Sequence, residues 1–410
     1  MYEPHPFEPD RSIIHLDGVK NLIKTYRDGL LLDTIPFWIK HSIDNEYGGY
    51  MFSLDRDGSL LDTDKAMWLH GRFVWMLSTL YTKVEKRQEW LDLARHGIEF
   101  IRRYGFDTDG KMFFQLTREG QPLRRRRYIF TEAFGTAAFA AYALASGEDR
   151  ARQEAEDLFH FILKLIRTPG LIPPKSYRQT RAFAVPMILI VTGQILRQVA
   201  SQPEAITREI DACIEEIERY FVKEEYRAVM ETVGPNGEVL DHFDGRMLCP
   251  GHAIEAAWFI LEESQIRGGD SRLQQLGLKI LDWMWEWGWD SEYGGMIYYR
   301  DIKNLPIQEY WHDMKFWWQH NETIIATLMA YQLTGDEKYA RWHQMVHDWT
   351  YAHFPDPEYG EWFGYLHRDG RLSVRLKGCL WKGPFHVPRM QWKAWQILES
   401  IQNRNTSTQG

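Results

Sequence analysis

Two histidines stand where chemistry is concentrated, His252 in PGHAIEAAW and His386 in KGPFHVPR. Glu255 follows His252 by three residues, which puts both on one helix face, and Trp258 follows in the same stretch. FWWQHNETIIA sets Trp317, Trp318, His320 and Glu322 at the head of another helix, while Arg72 in WLHGRFVW and Arg389 after His386 add two guanidiniums. An imidazole, with an unperturbed pKa near ~6.5, exchanges protons around neutral pH with little tuning. Glu255 or Glu322 can fix the tautomer by accepting the other ring N–H, and Arg72 can stabilise an enediolate oxygen. The positive end of a helix dipole favours a neutral imidazole ready to act as a base. These residue types describe proton abstraction beside a carbonyl, and the indoles suit a sugar.

Each residue also has a plainer role. His252 and Glu255 can be a hydrogen-bonded pair in a first helical turn, Arg72 a buried salt-bridge partner, and Glu322 a carboxylate favoured by a helix dipole. His70 and His320 read as structural. The argument for chemistry is that four helices, far apart in sequence, deliver a cation, two imidazoles and a carboxylate to one rim.

Other chemistries fit less well. His252, His386 and a carboxylate could ligate zinc, but the spacing matches no short zinc motif and Arg72 opposes a second cation, so no metal is expected. The chain has neither a GxSxG elbow nor a GxxxxGK[ST] phosphate loop. Glycoside hydrolysis by Glu255 and Glu322 would leave both histidines without a task. A sugar-binding or protein-binding module without turnover is the third alternative.

The elements that must position these groups follow from periodicity. Helical patterns start near residues 19, 66, 88, 131, 149, 181, 204, 251, 272, 321, 336 and 388, which gives about twelve helices. Short and long connections alternate. The even-numbered helices, such as TEAFGTAAFAAYALA, are apolar nearly all round, whereas the odd ones keep a charged face. An inner and an outer ring of six helices each predict an all-α (α/α)6 barrel, with an open helical solenoid as the alternative. DNEYGGYMFSLDRDG, DSEYGGMIYYRD and DPEYGEWFGYLHRDG repeat one loop three times, and FDTDGKMFFQLTREG is a degenerate fourth. Their Gly and Asp-Gly signals predict β-hairpins at one end of the barrel.

Residues 1–403 are expected to form a single catalytic domain and 404–410 a disordered tail. A net charge of −8 argues against a nucleic-acid partner. The three cysteines, odd in number and far apart, suit neither a disulfide framework nor a CxxC metal site, so a cytoplasmic protein is expected. No signal-like segment and no membrane-length apolar run is present, so no membrane partner is expected. The 18 tryptophans exceed what a core requires and point to a concave ligand site.

At PGHAIEAAW, DMKFWWQHNE and WKGPFHVPR the chain resembles the N-acylglucosamine 2-epimerase family, also called the renin-binding protein family, over residues 20 to 400. The resemblance implies an (α/α)6 barrel that interconverts N-acetylglucosamine and N-acetylmannosamine. It implies catalytic roles for His252 and His386, and pocket positions for Arg72, Glu255, Trp258 and Glu322. Cellobiose 2-epimerases and mannose isomerases share the fold and the histidine pair. The resemblance further implies ATP as an activator that is not consumed, with the basic stretches Arg124 to Arg127 and Lys175, Arg178, Arg181 open to a solvated or a phosphate-holding role. The expected site thus comprises His252, His386, Arg72 and Glu322 for catalysis, with Glu255, Trp258, Trp317, Trp318 and Arg389 for substrate. A homodimer acting on a small amino sugar is the expected assembly.

Overall fold

The computed structural model describes residues 16–125, 128–172 and 178–407. Helix α1 (Leu16–Asp28) continues through a π-helical turn at Gly29–Thr34 into α2 (Ile35–Ser42), so these form one bent rod. The remaining helices are α3 (Met67–Lys83), α4 (Gln88–Tyr104), α5 (Phe130–Ser146), α6 (Asp149–Arg167), α7 (Ala184–Arg197), α8 (Pro203–Glu216), α9 (Pro250–Ile266), α10 (Ser271–Gly288), α11 (Trp317–Thr334), α12 (Glu337–His353) and α13 (His386–Ser407). With the rod counted once they number twelve among the described residues, and each begins within four residues of its expected start. The last helix runs through Ser407, which corrects the expected tail from residue 404; residues 408–410 lie outside the described residues.

The two rings differ as their compositions dictate. In α5 every residue from Thr131 to Ala143 is buried, because FTEAFGTAAFAAYALAS has no charged face to turn outward. The outer α4 buries a stripe of Trp90, Leu91, Ala94, Gly97, Ile98, Phe100 and Ile101 and keeps its charged residues off it. Neighbours α3, α5, α7, α9, α11 and α13 form the inner ring. Trp75 of α3 closes it, packing 5.4 Å from Phe385 and 6.2 Å from Trp392 of α13. The fold is an (α/α)6 barrel.

The recurrent loops gather at the end where the inner helices begin. Three form antiparallel hairpins, Ser53–Leu54 with Leu60–Asp62, Gln115–Leu116 with Pro122–Arg124, and Tyr365–Leu366 with Leu372–Val374. The copy beginning at Asp290 departs from expectation. Its strand Arg300–Asp301 pairs with Met247–Leu248 of the preceding long connection instead of folding back on itself.

The shared aspartate explains the repetition. Asp44 accepts from Lys65 at 2.8 Å and Arg118 at 3.0 Å, Asp290 from Lys315 at 3.0 Å and Arg368 at 2.8 Å, and Asp356 from Lys377 at 2.9 Å and Arg56 at 2.7 Å. Each also accepts the backbone N–H two residues on, at Glu46, Glu292 and Glu358. Burial opposes charge on these carboxyls, but two cations and the backbone donors prevail and hold all three well below the usual range.

Gly49 and Gly295 take left-handed backbone (φ 70 and 72), and Glu361 holds the same place in the third copy at φ 55. That conformation costs a side chain roughly 1–2 kcal/mol. Glu361 offsets it as the buried partner of Lys382, whose uncompensated burial would cost about 3–5 kcal/mol. His70 and His320 accept the N–H of Tyr50 and Met296 on Nε2, both at 2.9 Å, and donate from Nδ1 to the carbonyls of Ala66 and Phe316. Burial pushes each down to about 3, so they are neutral scaffold residues.

Candidate active site

His386 opens α13 and turns its Nδ1 to Glu322 Oε1 at 2.7 Å. Glu322 is the sixth residue of α11, one turn deeper than its sequence suggested, so the helix dipole does not account for it. Its reason is its partners: Arg389 donates to it at 2.7 Å and Trp258 Nε1 at 2.8 Å. Burial raises the Glu322 carboxyl, but the Arg389 guanidinium and the Trp258 indole N–H favour its carboxylate form, which then accepts from a protonated His386 Nδ1. Nε2 is then left with its lone pair. Burial, followed by the positive charges of Arg389 and Arg72, holds His386 well below the usual imidazole range. It is a neutral base at rest.

His252 sits in the first turn of α9, where Pro250 starts the helix and Cys249 caps it. Its Nδ1 lies 3.1 Å from Glu231, a residue of the long connection before α9. Burial disfavours the imidazolium, yet the net direction for His252 is well above the usual range. Cys249 is the larger influence that holds the proton on His252 and the Glu231 carboxylate the second, although burial itself pushes the Cys249 thiol up. The expectation of a neutral His252 at a helix N-terminus is therefore corrected: its direct partners outweigh the dipole.

The Trp318 indole ties the two imidazoles together. Its ring centroid lies 5.0 Å from His252 and 5.9 Å from His386, and Trp317 stands edge-on to His386 at 6.2 Å. Gly251 makes this approach possible, because a Cβ there would lie 2.8 Å from the Trp318 ring. The site therefore pairs a charged imidazole with a neutral one across a single indole.

Arg72 projects from the second turn of α3 into an aromatic cage, its guanidinium carbon 4.1 Å from Trp68, 4.2 Å from Phe134 and 4.6 Å from Phe385. Among the described residues it makes no ion pair, and its Nε has no hydrogen-bond partner. Burial pushes it down to about 9, which still leaves it charged at neutral pH. Arg389 shares Phe385 with it, at 4.3 Å, but is clasped by Glu255 at 2.5 Å as well as by Glu322. Arg72 is thus a cation with no ion-pair partner among the described residues, and Arg389 one already neutralised.

The structure gathers all nine residues singled out in the sequence. It also sorts them: Glu255, Trp258 and Arg389 direct their polar groups at one another and at Glu322, and Trp258 is almost fully buried. Glu322 fixes the tautomer of His386, while Glu255 serves neither histidine. Glu231 and Cys249 were missed. Glu231 lies 21 residues before His252 in a connection with no periodic pattern, so only the fold brings it there.

The family profile described as N-acylglucosamine 2-epimerase (GlcNAc 2-epimerase) matches residues 49–386. The chain is 39% identical to the N-acylglucosamine 2-epimerase of Bos taurus over 381 residues, 90% of each chain. It is 37% identical to that of Homo sapiens over 390 residues, covering 92% of this chain and 91% of the relative. Its fold matches the cellobiose 2-epimerase of Bacillus thermoamylovorans B4167 with a TM-score of 0.82 at 21% identity, across 92% of this chain and 99% of the other. The chain belongs to the N-acylglucosamine 2-epimerase family.

Proposed function

We propose that this protein interconverts N-acetylglucosamine and N-acetylmannosamine by removing and replacing the proton at C2. The observation that carries the reading is the pair of imidazoles facing Trp318 at 5.0 and 5.9 Å, His252 with its pKa raised and His386 with its pKa lowered. In the open-chain sugar the C1 carbonyl acidifies C2–H. His386 Nε2 takes that proton, Arg72 stabilises the C1 oxygen of the enolate, and His252 delivers a proton to the opposite face. Reversal exchanges the roles, because the enzyme then starts with its proton on His386.

The relatives named N-acylglucosamine 2-epimerase, similar over nine-tenths of the chain, favour an N-acyl sugar over cellobiose or mannose. Chemistry sharpens the distinction. An acetamido group at C2 has no hydroxyl to become a ketone, so the enolate of an N-acetyl sugar can epimerise but cannot yield a ketose. Glycoside hydrolysis needs two carboxyl groups astride the bond, roughly 5–10 Å apart, whereas Glu255 and Glu322 both clasp Arg389.

ATP as an activator that is not consumed forms part of the proposal and rests on family membership. Two described members of the basic stretches are already paired with carboxylates. Arg125 holds Asp107 and Asp109, and Arg181 holds Glu216, while Arg126, Arg127 and Lys175 lie outside the described residues. A homodimer in the cytosol completes the reading, and the free cysteines suit a reducing compartment. No helix among the described residues is long and apolar enough to cross a membrane.

Incubation with N-acetylmannosamine, with and without ATP, tests the function. The expected product is N-acetylglucosamine with no ketose, at a rate raised by ATP and without stoichiometric ADP. Turnover of cellobiose or mannose with none of the N-acetyl sugars would assign the chain to another branch.

A further inference from the structure

Glu231, Cys249 and His252 bring a carboxylate oxygen, a thiol sulfur and an imidazole nitrogen within 4.8 Å of one another. A second trio, Glu255, Glu322 and His386, is equally compact, but Arg389 already fills it, at 2.5 and 2.7 Å from the two carboxylates. The first trio has a different character. Between His252 Nδ1 and Glu231, 3.1 Å apart, lies a proton that a metal can replace. Two ligands held at ~2.0–2.1 Å around a tetrahedral ion stand roughly 3.3 Å apart, so the existing separation needs little adjustment. Thiolate, imidazole and carboxylate are a donor set that zinc favours. The side chains of His252 and Glu231 are 26% and 15% exposed, which leaves an approach to the otherwise buried sulfur.

We propose that Glu231, Cys249 and His252 form an inhibitory zinc site built around a proton-transfer residue. Zinc forms bonds to Sγ of Cys249, Nδ1 of His252 and an oxygen of Glu231, with water as the fourth ligand. The S–H and Nδ1–H bonds break, and two protons leave to the buffer with no change of oxidation state. A neutral imidazole carries one hydrogen, so metal at Nδ1 leaves that hydrogen on Nε2. That Nε2–H is a far weaker acid than the imidazolium, and Nε2 has no lone pair to take a proton, so both delivery of a proton to C2 and removal of one from it stop at this residue. This consequence rests on the role proposed for His252, whereas the metal site does not.

Two readouts separate these. Titration of the full-length protein with Co2+ should produce a near-ultraviolet thiolate-to-cobalt band that is absent from Cys249→Ser and retained in Cys379→Ser. Zn2+ should abolish epimerisation, EDTA should restore it, and half-inhibition of Cys249→Ser, measured against its own rate, should require at least ~10-fold more zinc. No cobalt band in the native protein, or a band unchanged in Cys249→Ser, would overturn the site. A Cys249-dependent band with undiminished turnover at saturating zinc would overturn the inhibition and, with it, the role of His252.

Discussion

His252 and His386 are the same residue type at the same end of two inner helices, and their partners shift them in opposite directions, toward a charged and a neutral ring. Cys249 and Glu231 keep a proton on one, while burial with Arg389 and Arg72 keeps it off the other. Turnover therefore needs a pH above the lowered value of His386 and below the raised value of His252. The rate should fall on acidification as the base is protonated, and on alkalinisation as the acid is lost. The exchanged state holds the same number of protons, so both directions share one profile. Replacing Glu231 by Gln removes the anion that raises His252 and should shift the alkaline limb of kcat/KM to lower pH, with the acid limb unmoved. An unmoved alkaline limb would sever Glu231 from the chemistry. The sequence disclosed the nine residues because they occur in dense, aromatic-rich motifs at helix starts. It hid Glu231 and the charge of His252, since both depend on a contact between a helix and an irregular connection.

The helices were legible because each ring has its own period and composition: apolar throughout within, striped without. The loops were legible as a repeat but not as an ion-pair device, because Lys65, Lys315 and Lys377 look like ordinary surface lysines until the fold buries them. Removing one partner of such a pair costs about 3–5 kcal/mol, so Asp290→Asn should lower the melting temperature at neutral pH by stranding Lys315. The folded-state value of Asp290 is depressed, so its contribution is complete above the unfolded value near ~3.9 and is lost as pH falls toward the folded one. Thermal melts across that acidic range should show the native protein losing stability more steeply than Asp290→Asn. Parallel curves would show that the carboxylate is not the acid-sensitive element.

Across the whole molecule, a closed ring must join its two ends. Trp75 against Phe385 and Trp392 does so in the core, and Arg56 does so at the rim by reaching Asp356, 300 residues away. No local pattern predicts that pairing, although three copies of one loop imply three copies of one partner. Arg56→Ala should lower the melting temperature more than Arg371→Ala, whose exposed side chain pairs only with its neighbour Asp369. Equal losses would mean that the rim contact does not hold the ring closed. Closure also matters for the site, because it sets α13, which carries His386, against α11, whose other side packs on α9 with His252.

The central claim is that two imidazoles serve the two faces of C2. Epimerisation run in deuterated water and quenched within the first turnover, starting from each N-acetyl sugar in turn, tests it most directly. Solvent deuterium is expected at C2 of the product in both directions, with His252→Asn and His386→Asn each at least ~10²-fold slower. First-turnover product that keeps its original hydrogen, or two Asn variants near full activity, would contradict it.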